Sequence, residues 1–196
     1  MKKTFVVLLA LVVFLALFAC TKASAQQSAE GITVSGQSYK LGDTGPAGGI
    51  VFYDRGFTEG GWRYLEAAPA GTEFTAVWGP ITRVAGTETK VGSGKRNTQL
   101  IVEVLGENGK AAQLCASLNV NGHNDWFLPS RDELDLIHNT LKQKGLGNFL
   151  SRFYWSSSQN DSNSGAAWAQ SFSDGYQRED DFNKKNTYFV RAVRAF

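Results

Sequence analysis

The sequence predicts an α+β fold built on an antiparallel sheet, and three observations carry that reading. Strand-like runs stand at both ends of the chain, helical spacing is confined to the middle, and the resulting order, β-β-α-α-β-β-β, groups the helices instead of interleaving them with strands. Two main helices are expected.

Taken in order, "GDTGPAGGI" (42–50) contains three Gly-X-Y triplets, too few to sustain a collagen helix, and is read as a turn before a strand. "GIVFYD" (49–54) and "WRYLEAAP" (62–69) are aromatic and β-branched runs on either side of the Gly-rich "RGFTEGG", a hairpin pattern. From Asn97 to Leu118, the residues Leu100, Ile101, Val104, Leu105, Ala112, Cys115 and Leu118 recur at helical spacing, with a break expected at Gly106–Gly109. "SRDEL" (130–134) follows Pro129 as a capping box: Ser130 reaches the backbone of Glu133 and Glu133 reaches back. Leu134, Ile137 and Leu141 then share one face until Gly145 stops the helix. "FYWSSS" (153–158), "AAWAQSFS" (166–173) and "TYFVRAVRA" (187–195) are strand-like, and Trp126, Trp155 and Trp168 are expected as core anchors.

The N-terminus directs export. Lys2 and Lys3 precede the apolar run Phe5–Ala19, which is shorter than the roughly 20 residues of a spanning helix, so residues 1–19 read as a signal peptide. Two processing sites compete. "LFAC" resembles a bacterial lipobox whose Cys20 becomes the lipidated, palmitate-bearing first residue, although Phe18 is bulkier than usual there; "ASA" ending at Ala25 suits ordinary signal peptidase. Lipidation at Cys20 is preferred, because a cysteine closing the apolar run is otherwise hard to explain where cysteine is scarce. Residues 20–33 form the lipidated N-terminus and linker, and 34–196 one domain with no internal repeat.

Removal of residues 1–19 takes Lys2 and Lys3 and leaves basic and acidic residues equal in number. The whole-chain pI near 8.5 is therefore no argument for a nucleic-acid partner, and none is expected. Cys115 is the one cysteine besides Cys20, so no intrachain bridge is expected and the fold rests on its core.

"SFSDGYQREDDFNKKNTYF" (171–189) is the least core-like stretch, yet its aromatics are too frequent for a solvating tail. Asp174-Gly175 suits a two-residue hairpin turn, which would pair Ser173 with Tyr176, Ser171 with Arg178 and Ala169 with Asp180. Residues two apart share a face. Trp168, Gln170, Phe172, Gln177 and Glu179 would then face the core, and Ala169, Ser171, Ser173, Tyr176, Arg178 and Asp180 the solvent. Tyr, Arg and Asp suit recognition surfaces, with an ordinary exposed hairpin face as the alternative.

A resemblance gives this stretch a meaning. "GGIVFYD", "GWRYLEAAP", "GSGKRNTQLIV", "NGHNDWFLPSRDEL", "YWSSSQND", "FSDG" and "YFVRAVRAF" resemble, in this order over about residues 40–196, exported bacterial domains of C-type-lectin-like fold near the formylglycine-generating-enzyme branch. The C-terminal half resembles the variable proteins of treponemal diversity-generating retroelements. There, an RNA template copied with errors at adenines replaces the 3′ end of the gene, and the altered residues lie on an exposed ligand-binding surface. The resemblance implies a diversified region at about 154–196.

An Asn codon ending in a pyrimidine and altered at its adenines yields Ala, Ser, Asp, Tyr, Arg or Phe, but not Glu, Gln, Lys, Trp or Met. Ala169, Ser171, Asp174, Tyr176, Arg178, Asp180, Asp181, Phe182 and Phe189 belong to the reachable set and form the candidate ligand-binding residues. Trp168, Gln170, Gln177, Glu179, Lys184 and Lys185 do not. Asn160, Asn163, Asn183 and Asn186 are unaltered template positions or plain loop residues.

No catalytic constellation assembles from the sequence, and no enzyme is expected. Formylglycine-generating activity depends on cysteine chemistry, whereas Cys115 on an apolar helical face reads as an inert core thiol. His123 in "NGHND" and His138 on the polar side of the capped helix have no nucleophile partner. "GSGKRNT" (92–98) departs from a phosphate loop, with Thr89 in place of the first Gly and Arg96 after Lys95. "NDSNSG" (160–165) would end a calcium loop at Ser171 in place of a bidentate Glu, Asp180-Asp181 reads as a solvated loop, and no lectin-type Glu-Pro-Asn or Gln-Pro-Asp triplet is present. No metal or cofactor is expected. The function expected is a surface-displayed, receptor- or adhesin-like protein at the outer membrane, monomeric, held to the membrane through its lipid alone, and binding a protein or surface ligand. The alternatives are a non-varying adhesin or envelope structural protein of the same fold, then an exported enzyme.

Overall fold

The first hairpin forms where aromatic and β-branched residues flank a glycine pair. In the computed structural model, which describes residues 37–160, 162–178 and 183–196, strand β1 (Ile50–Glu59) turns at Gly60 and Gly61, both at positive φ, into β2 (Trp62–Ala67). The pairing is antiparallel, with Ile50 opposite Ala67 and Asp54 opposite Tyr64, and bulges bend the arm. The last strand of the chain, β8 (Val193–Ala195), lies along the other side of β2 and closes a three-stranded sheet, β1-β2-β8.

Loop 42–50 is a turn before a strand, as expected, and its glycines have a specific cause. The fully buried Glu66 carboxylate accepts from the N–H groups of Ala47 (3.3 Å) and Gly49 (3.0 Å) and from Arg194 (3.1 Å). A Cβ on Gly45 or Gly49 would collide with that carboxylate. The buried charge is thereby satisfied, which low-dielectric burial demands.

A second, five-stranded sheet has the order β3-β7-β4-β5-β6 and comprises β3 (Phe74–Val77), β4 (Phe153–Gln159), β5 (Ala167–Ser171), β6 (Gln177–Arg178) and β7 (Thr187–Val190). It is mixed, because β4 and β7 run parallel where Tyr154 meets Phe189. The expected single strand 187–195 is two strands in two sheets. Arg191 sits at the crossing, 2% exposed, donating to Glu73 (2.6 Å) and to the carbonyls of Ala68 and Gly147 while stacking over Phe149. Four residues of β3 are too few to carry a pattern, and that strand exists through its pairing with β7.

Three helices lie between the strands. The break expected at Gly106–Gly109 divides α1 (Gly94–Leu105) from α2 (Lys110–Ala116), and α1 starts earlier than Asn97. Helix α3 (Arg131–Thr140) carries the capping box, with Ser130 accepting from the Glu133 N–H and Glu133 accepting from the Ser130 N–H (2.7 Å). Leu134, Ile137 and Leu141 are buried, and Gly145 ends the following turn in the left-handed region. One core gathers Trp78, Trp126 and Trp155 with Ile101, Leu128 and Cys115; the other gathers Phe52, Leu65, Phe127, Tyr154 and Phe172 under α3. Tyr39–Phe196 is one compact unit, an α+β domain of two sheets and grouped helices. Among the described residues, no helix is long and apolar enough to cross a membrane.

Candidate functional site

The β5–β6 hairpin forms, but not on the turn that Asp174-Gly175 suggests. Ala169 pairs with Arg178 and Gln170 with Gln177, while the Ser171 N–H donates to the Tyr176 carbonyl (2.9 Å), so residues 172–175 make the connection. Phe172 is the cause. It is fully buried against Tyr154 (4.3 Å between centroids), Phe149 and His138, and drawing it into the core removes it from the ladder. The turn keeps Gly175 at φ 79°, and Asp174 caps it by accepting from the Tyr176 N–H (3.2 Å). The Ser171 hydroxyl and that N–H hold the Asp174 carboxyl below its ordinary range.

The register differs from the expected one by two residues, so the division into faces survives but its exposure does not. On one face α3 covers the hairpin: Gln170 donates to Asp135 (2.7 Å) and Gln177 to the Arg131 carbonyl (3.0 Å). On the other, Ala169 pairs with Trp155 and is buried, as is Ser171, correcting the expectation that both face solvent. Ser173, Asp174 and Tyr176 do face solvent, Tyr176 at 49% exposure. Phe189 is half-buried and turns toward Tyr154. Arg178 lies on the ladder beside them, and Asp180, Asp181, Phe182 and Cys20 lie outside the described residues.

Two aromatics absent from the candidate set join this face. Phe153 pairs with Ser171 and is 38% exposed, and the Tyr188 ring lies 5.3 Å from it. Tyr188 was legible, since tyrosine is reachable from an Asn codon; Phe153 precedes the region that the codon argument covers.

Trp126 and Trp155 are core residues as expected, whereas Trp168 is half-buried at the surface, its indole under the Arg131 guanidinium (4.8 Å). It borders a groove of about 400 Å³ with Glu88, Lys90, Gln159 and Ser162. Trp78, fully buried, is the anchor that the sequence reading passed over. Beneath the groove Lys184 is fully buried, its Nζ donating to the Thr82 carbonyl and to Gln159 (both 2.7 Å) above the Trp78 ring. Burial pushes its pKa down to about 8.

The titratable groups singled out from sequence are structural in their contacts. Cys115 is buried, which raises its thiol pKa and keeps it protonated. His138 is buried edge-on to Phe172, not on a polar face, because α3 turns that side toward the hairpin. His123 lends its carbonyl to the Trp126 indole N–H (3.0 Å). In "NDSNSG" the Asn160 side chain accepts from the N–H groups of Ser162 and Asn163, a turn contact. Among the described residues, no three His, Cys, Asp or Glu side chains gather as metal ligands do.

The two-sheet scaffold presents an irregular, aromatic-edged C-terminal face. The family model for the Lcl C-terminal domain matches residues 68–194, and the chain belongs to that family. No curated protein matches the sequence. Among solved structures, a fimbrial protein from Bacteroides ovatus ATCC 8483 is similar at 15% identity and a TM-score of 0.48, over 69% of this chain and 36% of that one. The chain thus spans about a third of that protein's length.

Proposed function

We propose that this is a lipid-anchored surface protein that binds a protein or surface ligand through a face diversified by a retroelement, of the kind described in treponemes. The observation that supports this most is the division of labour in the hairpin. Four of the residues no Asn codon can reach hold the scaffold: Gln170 and Gln177 bond α3, Trp168 stacks under Arg131, and Lys184 anchors the returning chain, whereas Lys185 is exposed. Asp174 and Tyr176, which are reachable, point outward. On this reading Asp174, Tyr176 and Arg178 make contact together with Asp180, Asp181 and Phe182; Phe189 lies at the margin, and Ala169 and Ser171 form the floor. The protein acts as a monomer without cofactor, touches the membrane through the acyl chains on Cys20, and does not bind nucleic acid.

Burial of Ala169 and Ser171 favours a second reading, a non-varying adhesin, because random enlargement at those positions would overfill the site. A near-identical template repeat and a reverse transcriptase gene beside this gene separate the two. Their absence together with invariance of 154–196 among closely related strains would overturn the diversified reading.

A further inference from the structure

A trench along α1 shares no lining residue with the hairpin face. Two cavities, of about 390 and 560 Å³, share Lys95, Gln99, Asp125 and Phe127 in their walls and therefore run into one another along α1. The first is walled by Val102, Ala116 and Trp126; the second reaches Trp62, Arg194 and Phe196.

Two features of the walls point to an occupant. The backbone N–H and C=O groups of Asn124 and Asp125, lying between the bridges at His123 and Phe127 and not buried, have no partner among the described residues. Open main chain beside a groove is what an extended peptide uses when it pairs with its receptor. The charges supply the second feature. Asp125 is already engaged by Arg194, which also bonds Glu66, and Arg96 donates to the Gly86 carbonyl. Lys95 and Glu103, both exposed, remain unpaired in the trench. Eight residues of helix separate them by about 12 Å at a rise of about 1.5 Å. In an extended chain that distance is about four residues at roughly 3.3 Å each, and residues four apart share a face.

We infer that the trench is a binding site for an extended peptide segment bearing an acidic side chain and, four residues away, a basic one, with an apolar residue midway between them. The carboxylate meets Lys95, the cation meets Glu103, and the intervening side chain lies against Val102 and Phe127. Polyanions fit less well, because Glu103 repels them.

The probe is the blocked peptide acetyl-Glu-Ser-Val-Ser-Lys-amide, titrated into the isotope-labelled full-length chain while the amide signals of Asn124, Asp125 and Trp126 are followed. Shifts confined to these amides and to α1 are expected. K95E should weaken binding at least tenfold, and K95E/E103K should turn the preference toward the peptide with Lys and Glu exchanged. Tyr176→Ala should leave the affinity for this peptide as in the wild type, which keeps the trench separate from the hairpin face. The inference is overturned if these amides stay unmoved at millimolar peptide, or if the wild type binds the exchanged peptide equally well. It is also overturned if heparin binds there and E103K strengthens heparin while leaving the peptide unaffected, because the trench would then be a polyanion site.

Discussion

Trp155 and Trp168 show how differently one residue type is used within a single sheet. Trp155 is fully buried and its indole N–H donates to the Ala76 carbonyl (3.0 Å), whereas Trp168 lies under one guanidinium at the surface. Trp155→Ala should cost about 3–5 kcal/mol in urea unfolding. Trp168→Ala should cost about 1 kcal/mol, the scale of an exposed cation–π pair. Equal losses would show that the indole of Trp168 is held by the core. Glu133 makes a second prediction at this scale. Its buried carboxylate joins two helix starts, accepting from Ser130 and from the Gly92 N–H (2.8 Å), and burial raises its pKa from 4.5 to about 7. A carboxyl that binds its proton more tightly when folded contributes stability that is fully present below pH 4.5 and lost as pH rises through about 7. Glu133→Gln should flatten that part of the stability–pH curve, and an unchanged curve would show that the carboxyl titrates normally.

The hairpin β5–β6 is held by side chains more than by its two-residue ladder. Gly175 combines φ 79° with a position where a Cβ would meet the His138 ring at 2.7 Å. Gly175→Ala should therefore destabilise by more than about 1 kcal/mol. Gln177→Ala, which removes the bond to α3, should cost about 1 kcal/mol. Hydrogen exchange at Ser171 N–H, the last bond of the ladder, reads both: protection should fall in each variant while that of α1 is retained. An element that stayed protected after both changes would be one whose strand pairing suffices by itself.

At the level of the whole molecule, the proposed anchor and the proposed binding face can be tested separately. Cys20→Ala should release the protein from membranes into the soluble fraction; a wild-type product that begins at Gln26 and is soluble would refute the lipid anchor. Replacing Asp174 and Tyr176 together by other residues reachable from Asn should shift the melting temperature little, because exposed positions change stability by about 0.5 kcal/mol or less. Adding Ala169→Tyr should unfold or strongly destabilise the domain, since that site is 1% exposed and already packed. Binding to a ligand recovered by pull-down should change with the first set; unchanged binding would remove this face from the site.

The sequence by itself determined what depends on neighbours along the chain: the α+β class, the capping box at Ser130, the helix break at Gly106–Gly109, the first hairpin, and the sorting of residues 168–178 into two faces. Each is a matter of local spacing or of turn and cap chemistry. Tertiary structure decided which faces see water. Alternation assumes one open side, but α3 closes over Gln170 while Ala169 packs into the core beside Trp155, so both sides of β5 are buried. It also decided that 187–195 divides between two sheets, because the buried Arg191 finds Glu73 and two distant carbonyls only at that crossing. Long-range partners of this kind leave no period in the sequence, and a charge inside a strand-like run reads as solvent-facing until the group that neutralises it is seen.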